Sequence, residues 1–154
     1  MTTPARRVGY RWWMLFTSVQ RAFLDEPWVC VLSTLGPRGA PHSAPMWYVR
    51  DGDDLLIVTG LGSQKQRNLE RDPRLAVVVD RRDRPYYALM IQGRAEPDSA
   101  TAAEVRSRLA GRYLPADSAV AFLESQRDTP GAVFRIVAET IREYGTHSSG
   151  TTHH

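Results

Sequence analysis

Cysteine is nearly absent: of 154 residues only Cys30 is one, so no intrachain disulfide and no multi-cysteine metal centre can form. A reducing, cytoplasmic setting is the expectation that fits. Lysine is as scarce, with Lys65 alone against 19 arginines. That bias lifts the sequence pI to about 9.3 although the net charge is only +3. Most arginines have an acidic neighbour within a few positions and form no basic stripe with interleaved aromatics, which argues against a nucleic-acid partner. Long apolar runs are also missing. Runs such as Trp12 to Phe16 and Trp28 to Leu32 fall far short of the roughly 20 residues a bilayer-spanning helix needs, so no membrane partner is expected. Arg6 and Arg7 precede an apolar patch, but Gln20, Arg21, Asp25 and Glu26 follow it where a signal peptide would carry small cleavage-site residues. Ser33, Ser43 and Ser63 lack a G-x-S-x-G setting, and the four histidines offer no pair at metal-ligand spacing before the terminal His153-His154.

What is present is the composition of a folded protein, 42% hydrophobic and 24% charged, with a length suited to one core. One domain is expected over residues 1–145, followed by a polar and disordered tail over 146–154. From Trp28 onward, short apolar segments alternate with turn residues, which predicts antiparallel strands. Val29 to Leu35 is followed by the turn Gly36-Pro37-Arg38-Gly39 and a return strand over His42 to Val49. Asp51-Gly52 then suits a type I′ turn into Leu55 to Thr59. Leu75 to Asp80, Tyr86 to Ala95 with Gly93 as a bulge or close approach, and Ala132 to Ile141 complete six strands. Ser63-Gln64-Lys65-Gln66 matches a capping box, in which the serine caps a backbone N–H and the glutamine reaches back to the serine's own N–H. It predicts a helix from Gln64 to about Arg71, stopped by Asp72-Pro73. Further helices are expected over Tyr10 to Leu24, Ser99 to Leu109 and Asp117 to Gln126. Closure into a small barrel removes the edges of such a sheet. The expected fold is therefore mainly β with some α, a six-stranded antiparallel barrel carrying peripheral helices.

The chemistry-bearing stretch runs from Val58 to Leu69. A strand ends, Gly60 and Gly62 allow a ligand close to the backbone, and a capped helix begins with Lys65 and Arg67 in its first turns. A helix start is worth about 0.3–1 kcal/mol to an anion, and a lysine adds charge-assisted hydrogen bonds. Taken alone, the same features also describe a solvated helix, and Gly60-Leu61-Gly62 lacks the third glycine of a dinucleotide fingerprint.

The order of motifs adds to this. Phe23-Leu24, Val29-Cys30-Val31-Leu32-Ser33-Thr34, the Gly36 to Gly39 turn and Pro41-His42-Ser43-Ala44-Pro45-Met46-Trp47-Tyr48-Val49 are followed by Asp51-Gly52-Asp53, Thr59-Gly60, Ser63-x-Lys65-x-x-Asn68-Leu69-x-x-Asp72-Pro73-Arg74 and Gly93-Arg94-Ala95. Together these resemble the pyridoxamine 5′-phosphate oxidase-like split β-barrel superfamily over roughly residues 20 to 95. The resemblance implies a homodimer of split barrels with cofactor at the subunit interface, and an oxidoreductase that moves a hydride between the deazaflavin F420 and a small conjugated organic substrate. FMN is the alternative cofactor. A non-catalytic flavin, deazaflavin or haem carrier is the alternative class. By the resemblance, Ser63, Gln64, Lys65, Arg67 and Asn68 hold the cofactor phosphate, with Gln64 standing where some relatives carry arginine. Ala44, Pro45, Met46 and Trp47 line the ring edge, and Thr59 lies beneath the ring. Tyr86 and Tyr87 approach from the partner chain. Without the resemblance, Trp47, Tyr48, Tyr86 and Tyr87 read equally as alternating strand residues, and no catalytic acid or base follows.

Overall fold

The computed structural model describes residues 15–145. In three of the strands apolar residues recur at every second position, so one face of each buries itself. Cys30, Leu32 and Thr34 of β1 (Cys30–Leu35) are buried while Val31, Ser33 and Leu35 are only partly so. The same alternation buries Leu75, Val77 and Val79 of β5 (Arg74–Arg81) and Leu89 and Ile91 of β6 (Tyr87–Pro97). Their side chains meet in one barrel core together with Tyr48, Phe23 and Phe134.

The strands number seven, not six, because the expected strand over His42 to Val49 is broken. Its first part is β2 (Pro41–Met46), paired with β1. Its second is β3 (Val49–Asp51), paired with β4 (Asp54–Gly60). With β7 (Gly131–Gly145), the sheet order is β2-β1-β5-β6-β7-β4-β3, antiparallel throughout. The two halves of the broken strand therefore lie at opposite edges of the sheet. Met46 and Val49 are three residues apart, a span of at most about 11 Å when extended. The sheet must roll until its edges nearly meet, and Trp47-Tyr48 stitches them together. Pro41 and Pro45 sit in β2, an edge strand, where a missing N–H is tolerated.

Other expectations also meet corrections. The β3–β4 loop is Gly52-Asp53 between the paired Asp51 and Asp54. Only Gly52 has positive φ, at 63°, and no described residue other than glycine does. A type I′ turn needs positive φ at both central positions, so this is the type II′ arrangement with glycine first. Gly93 behaves as expected: the register shifts between Gln92 and Gly93 opposite β7, and a Cβ there would lie 2.0 Å from the Val137 carbonyl oxygen.

Helix α1 (Ser18–Asp25) starts later than expected, because Thr17 and Gln20 form a full capping box. Residues 10–14 of that expected helix, like the 146–154 tail, lie outside the described residues. Helix α2 occupies Gln64–Arg71, as its cap predicted. Helices α3 (Ala102–Tyr113) and α4 (Ala116–Ser125) lie between β6 and β7. Val105 and Leu109 of α3 form a second, smaller core with Leu56 and Val133 on the outer face of the barrel, which Trp47 joins. Arg135 ties this side together through Asp51, Asp54 and Asp98 at 2.8, 3.2 and 2.9 Å. No helix among the described residues is long and apolar enough to cross a membrane.

Candidate functional site

Gly60 and Gly62 frame the step from β4 into α2, and Gly62 adopts φ +77°, a conformation L side chains avoid. A Cβ at either glycine would meet nothing within 4 Å, so the space beside this turn is open. Ser63 is the N-cap, its Oγ accepting from the Gln66 N–H at 3.2 Å. The other half of the expected capping box is displaced by one residue. The buried Gln66 side chain accepts from the Gly62 N–H at 2.5 Å, whereas the Ser63 N–H donates to the Gly60 carbonyl. Gln66 thus pins the glycine turn, a role the sequence pattern assigned to a neighbouring bond. With these donors used, the N–H groups of Gln64 and Lys65 are the first-turn donors without a protein partner among the described residues.

Lys65 is half-buried and makes no hydrogen bond or ion pair among the described residues, and exposed Arg67 makes only one bond, from Nη2 to Gln64 Oε1 at 3.0 Å. Gln64 in turn donates to Asn68 Oδ1 at 2.7 Å. The sequence-predicted Asn68 points inward. It is fully buried, donates to Thr34 Oγ1 at 3.0 Å and accepts from Arg71 at 3.2 Å. Arg71 also donates to the Leu35 carbonyl. Asn68 and Arg71 thereby fasten α2 against β1, holding Gln64, Lys65 and Arg67 at one end of it.

This fastening brings α2 beside the edge strand that carries the other predicted residues. Thr34 pairs across the ladder with His42, and Leu32 with Ala44, and directly paired residues share a face. His42, Ala44 and Met46 therefore lie on the same side of the sheet as Thr34. The His42 Nδ1 is buried without a hydrogen-bond partner among the described residues. Pro45 is on the other, exposed face. Trp47 packs outward, its ring 4.9 Å from Tyr113 and 5.5 Å from Phe122. The Tyr113 hydroxyl lies 2.7 and 3.0 Å from the carbonyls of Trp28 and Tyr48, fixing the two-residue bridge. Helices α3 and α4 thus support Trp47, a long-range packing that no local pattern signalled.

Thr59 is buried and its hydroxyl lies 3.4 Å from the Ala132 carbonyl. Tyr86 and Tyr87 are not brought to this end of the barrel. Gly93 shares a ladder rung with Leu75 and, through it, with Thr34; Tyr87 lies six residues further along β6, about 20 Å away. Tyr87 turns into the core, its hydroxyl donating to Glu143 at 3.0 Å, and burial pushes its ionisation upward. Tyr86 is the exposed one of the two, at 52%. Cys30 is wholly buried, and desolvation pushes its thiol up to about 12, which makes it inert.

The assembled geometry is a cradle for an anion beside a half-buried strand edge. Open space next to two glycines, two unused backbone donors and two cations without ion pairs lie together there, and among the described residues no nucleophile is activated by a neighbouring base.

A family model described as pyridoxamine 5′-phosphate oxidase matches residues 16–145. Among solved structures, a conserved hypothetical protein from Mycobacterium tuberculosis is similar at 25% identity and a TM-score of 0.68, over 85% of this chain and 86% of that one. An F420 reductase is similar at 25% identity and a TM-score of 0.60, over 79% and 94%. A heme storage protein from Vibrio cholerae shares the fold at 16% identity and a TM-score of 0.61, over 81% and 90%. No curated protein matches the sequence.

Proposed function

The chain belongs to the pyridoxamine 5′-phosphate oxidase family, and from that premise we propose that it is an oxidoreductase using the deazaflavin F420 to move a hydride to or from a small conjugated organic substrate. The observation that carries this reading is the α2 cradle. Lys65, Arg67 and the Gln64 and Lys65 N–H groups form a donor set that suits a phosphate, with the neighbouring Glu70 carboxylate held by the Gln66 amide at 3.0 Å. The similarity to an F420 reductase over 94% of that protein supports F420 over FMN.

When bound, the deazaflavin supplies the hydride chemistry, and the protein's part is binding, orientation and exclusion of water. Ser63 and Gln66 hold the glycine turn in shape. Gln64 draws Arg67 back along the helix while bonding Asn68, so the guanidinium and Lys65 are presented from a helix anchored to β1. Ala44 and Met46, on the face shared with Thr34, provide the wall beside the ring, and Trp47, packed outward on Tyr113 and Phe122, fixes the end of the strand that carries them. Thr59 contributes a closed surface below it. In the same reading a second copy of the chain completes the site, with Tyr86 as the residue offered across the interface. Sedimentation at micromolar concentration then gives a dimer.

Multiple turnover of reduced F420 in the presence of conjugated acceptors tests the enzymatic reading. Sustained oxidation beyond one equivalent supports it. A single stoichiometric bleaching across a broad acceptor panel contradicts it and leaves a carrier.

A further inference from the structure

Arg106 of α3 is the one charged side chain among the buried described residues, at 9% exposure. Its Nη1 donates to the Thr129 carbonyl at 2.5 Å, and its Nη2 lies 3.5 Å from that of Pro130. Both acceptors are neutral, and no carboxylate pairs with it among the described residues. A guanidinium has five N–H donors, so beyond these two carbonyls its remaining donors and its charge have no protein partner among the described residues. Arginine is almost never buried in that state, because a desolvated cation demands a counter-charge. Gly131 is shaped to this group: a Cβ there would lie 2.7 Å from the Arg106 Nη2.

Arg106 opens onto a cleft of about 400 Å³ between α3 and α4. Ala103, Val120 and Leu123 give the cleft an apolar wall, and Ser107 and Gln126 add neutral polar groups. Arg127 and Glu124 also reach it, but they pair with each other at 2.6 Å and cancel. The charge left over is a single positive one, on Arg106. Val120 stands 69% exposed, and α4 buries none of its residues, so one wall of the cleft is lightly held.

We infer that the α3–α4 cleft binds a small organic monoanion, its carboxylate on Arg106 and its apolar body against Ala103, Val120 and Leu123. The guanidinium fork matches a carboxylate in shape, and the volume is that of a small-molecule site. One uncompensated cation suits one negative charge, which favours a carboxylate over a dianionic phosphate. Gly131, against which Arg106 lies, pairs with Gly60 of the α2 turn, so the cleft adjoins the α2 cradle; the inference does not depend on the identity of any cofactor there.

The test uses the full-length isotope-labelled protein and backbone amide NMR. Hexanoate and benzoate are titrated beside their uncharged counterparts, hexanamide and benzamide. The carboxylates are expected to give saturable shifts centred on Arg106, Ser107, Leu123 and Gln126, with the amides weaker by about tenfold or more, as loss of a charge-assisted bond requires. Arg106→Gln should abolish the shifts. Because that variant orphans the Thr129 and Pro130 carbonyls, Ala103→Phe serves as a second one: Ala103 is exposed, and the larger ring fills the cleft while leaving Arg106 in place. Absence of saturable shifts, equal affinity for carboxylate and amide, or binding that survives Ala103→Phe would each overturn the inference.

Discussion

Replacing Lys65 with alanine isolates what the α2 cradle does. The side chain is half-buried and has no intramolecular partner among the described residues, so its removal breaks no hydrogen bond or ion pair among them. Substitutions of that kind change unfolding free energy by no more than about 0.5 kcal/mol. Bound to a phosphate, the same ammonium would make a charge-assisted hydrogen bond worth about 1.5–3 kcal/mol. The Kd for F420 should therefore rise roughly 10- to 150-fold while the urea midpoint stays put. Fluorescence titration at low salt gives the first quantity and circular dichroism in urea the second. The wild-type affinity should also fall as salt is added, and the variant's less steeply, since one cation fewer is screened. Unchanged affinity in a folded variant would refute the assignment of Lys65 to the phosphate. A large loss of stability would refute the reading of Lys65 as unengaged.

Asn68→Ala should do the reverse, lowering stability by about 2–3 kcal/mol in urea titration, since it leaves the buried Thr34 hydroxyl without its donor. Gly93→Ala forces a methyl to 2.0 Å from the Val137 carbonyl oxygen. It should cost about 2 kcal/mol or more in the same assay, and a neutral outcome would remove the close approach as the reason for glycine. Arg135→Gln removes the guanidinium that Asp51, Asp54 and Asp98 share and should cost roughly 2–3 kcal/mol at pH 7, less than breaking a fully buried pair would because Asp51 is 40% exposed and keeps Arg108 at 3.4 Å. The hydrogen bond from Arg135 is the main cause holding the Asp51 carboxyl below its usual range. A depressed carboxylate contributes stability above its unfolded value, roughly 3.9, and loses it as pH falls through the folded one. The gap between wild type and variant should therefore narrow below about pH 4, and a gap independent of pH would contradict this.

Local signals in the chain proved reliable where the physics is local. The cap at Ser63 and the stop at Asp72-Pro73 place α2 correctly, and Gly93 marks the bulge opposite β7. The break at Trp47-Tyr48 was not legible, because the residues on either side alternate like one strand. It arises from which edges they pair with, a decision made by the whole sheet. The capping box failed by one bond for a similar reason. Gln66 can satisfy either the Ser63 or the Gly62 N–H, and the Gly60 carbonyl takes the former. Thr17-x-x-Gln20 and Thr101-x-x-Glu104 form the same motif in full, and they start those helices later than the Tyr10 and Ser99 expected from apolar spacing. In the candidate site, the cluster of Ser63, Gln64, Lys65 and Arg67 follows from the helix alone. The inward turn of Asn68 toward Thr34, 34 residues away, and the stacking of Trp47 on α3 and α4 depend on contacts that no short window contains.

The central claim, that the α2 cradle holds the phosphate of a deazaflavin, meets its most direct test in a parallel titration of the purified apo-protein with F420 and FMN at low salt. Tight binding of F420, weak binding of FMN and an F420 Kd raised roughly 10- to 150-fold in Lys65→Ala is the predicted result. Tight FMN binding with weak F420 binding, or binding of neither, would contradict it.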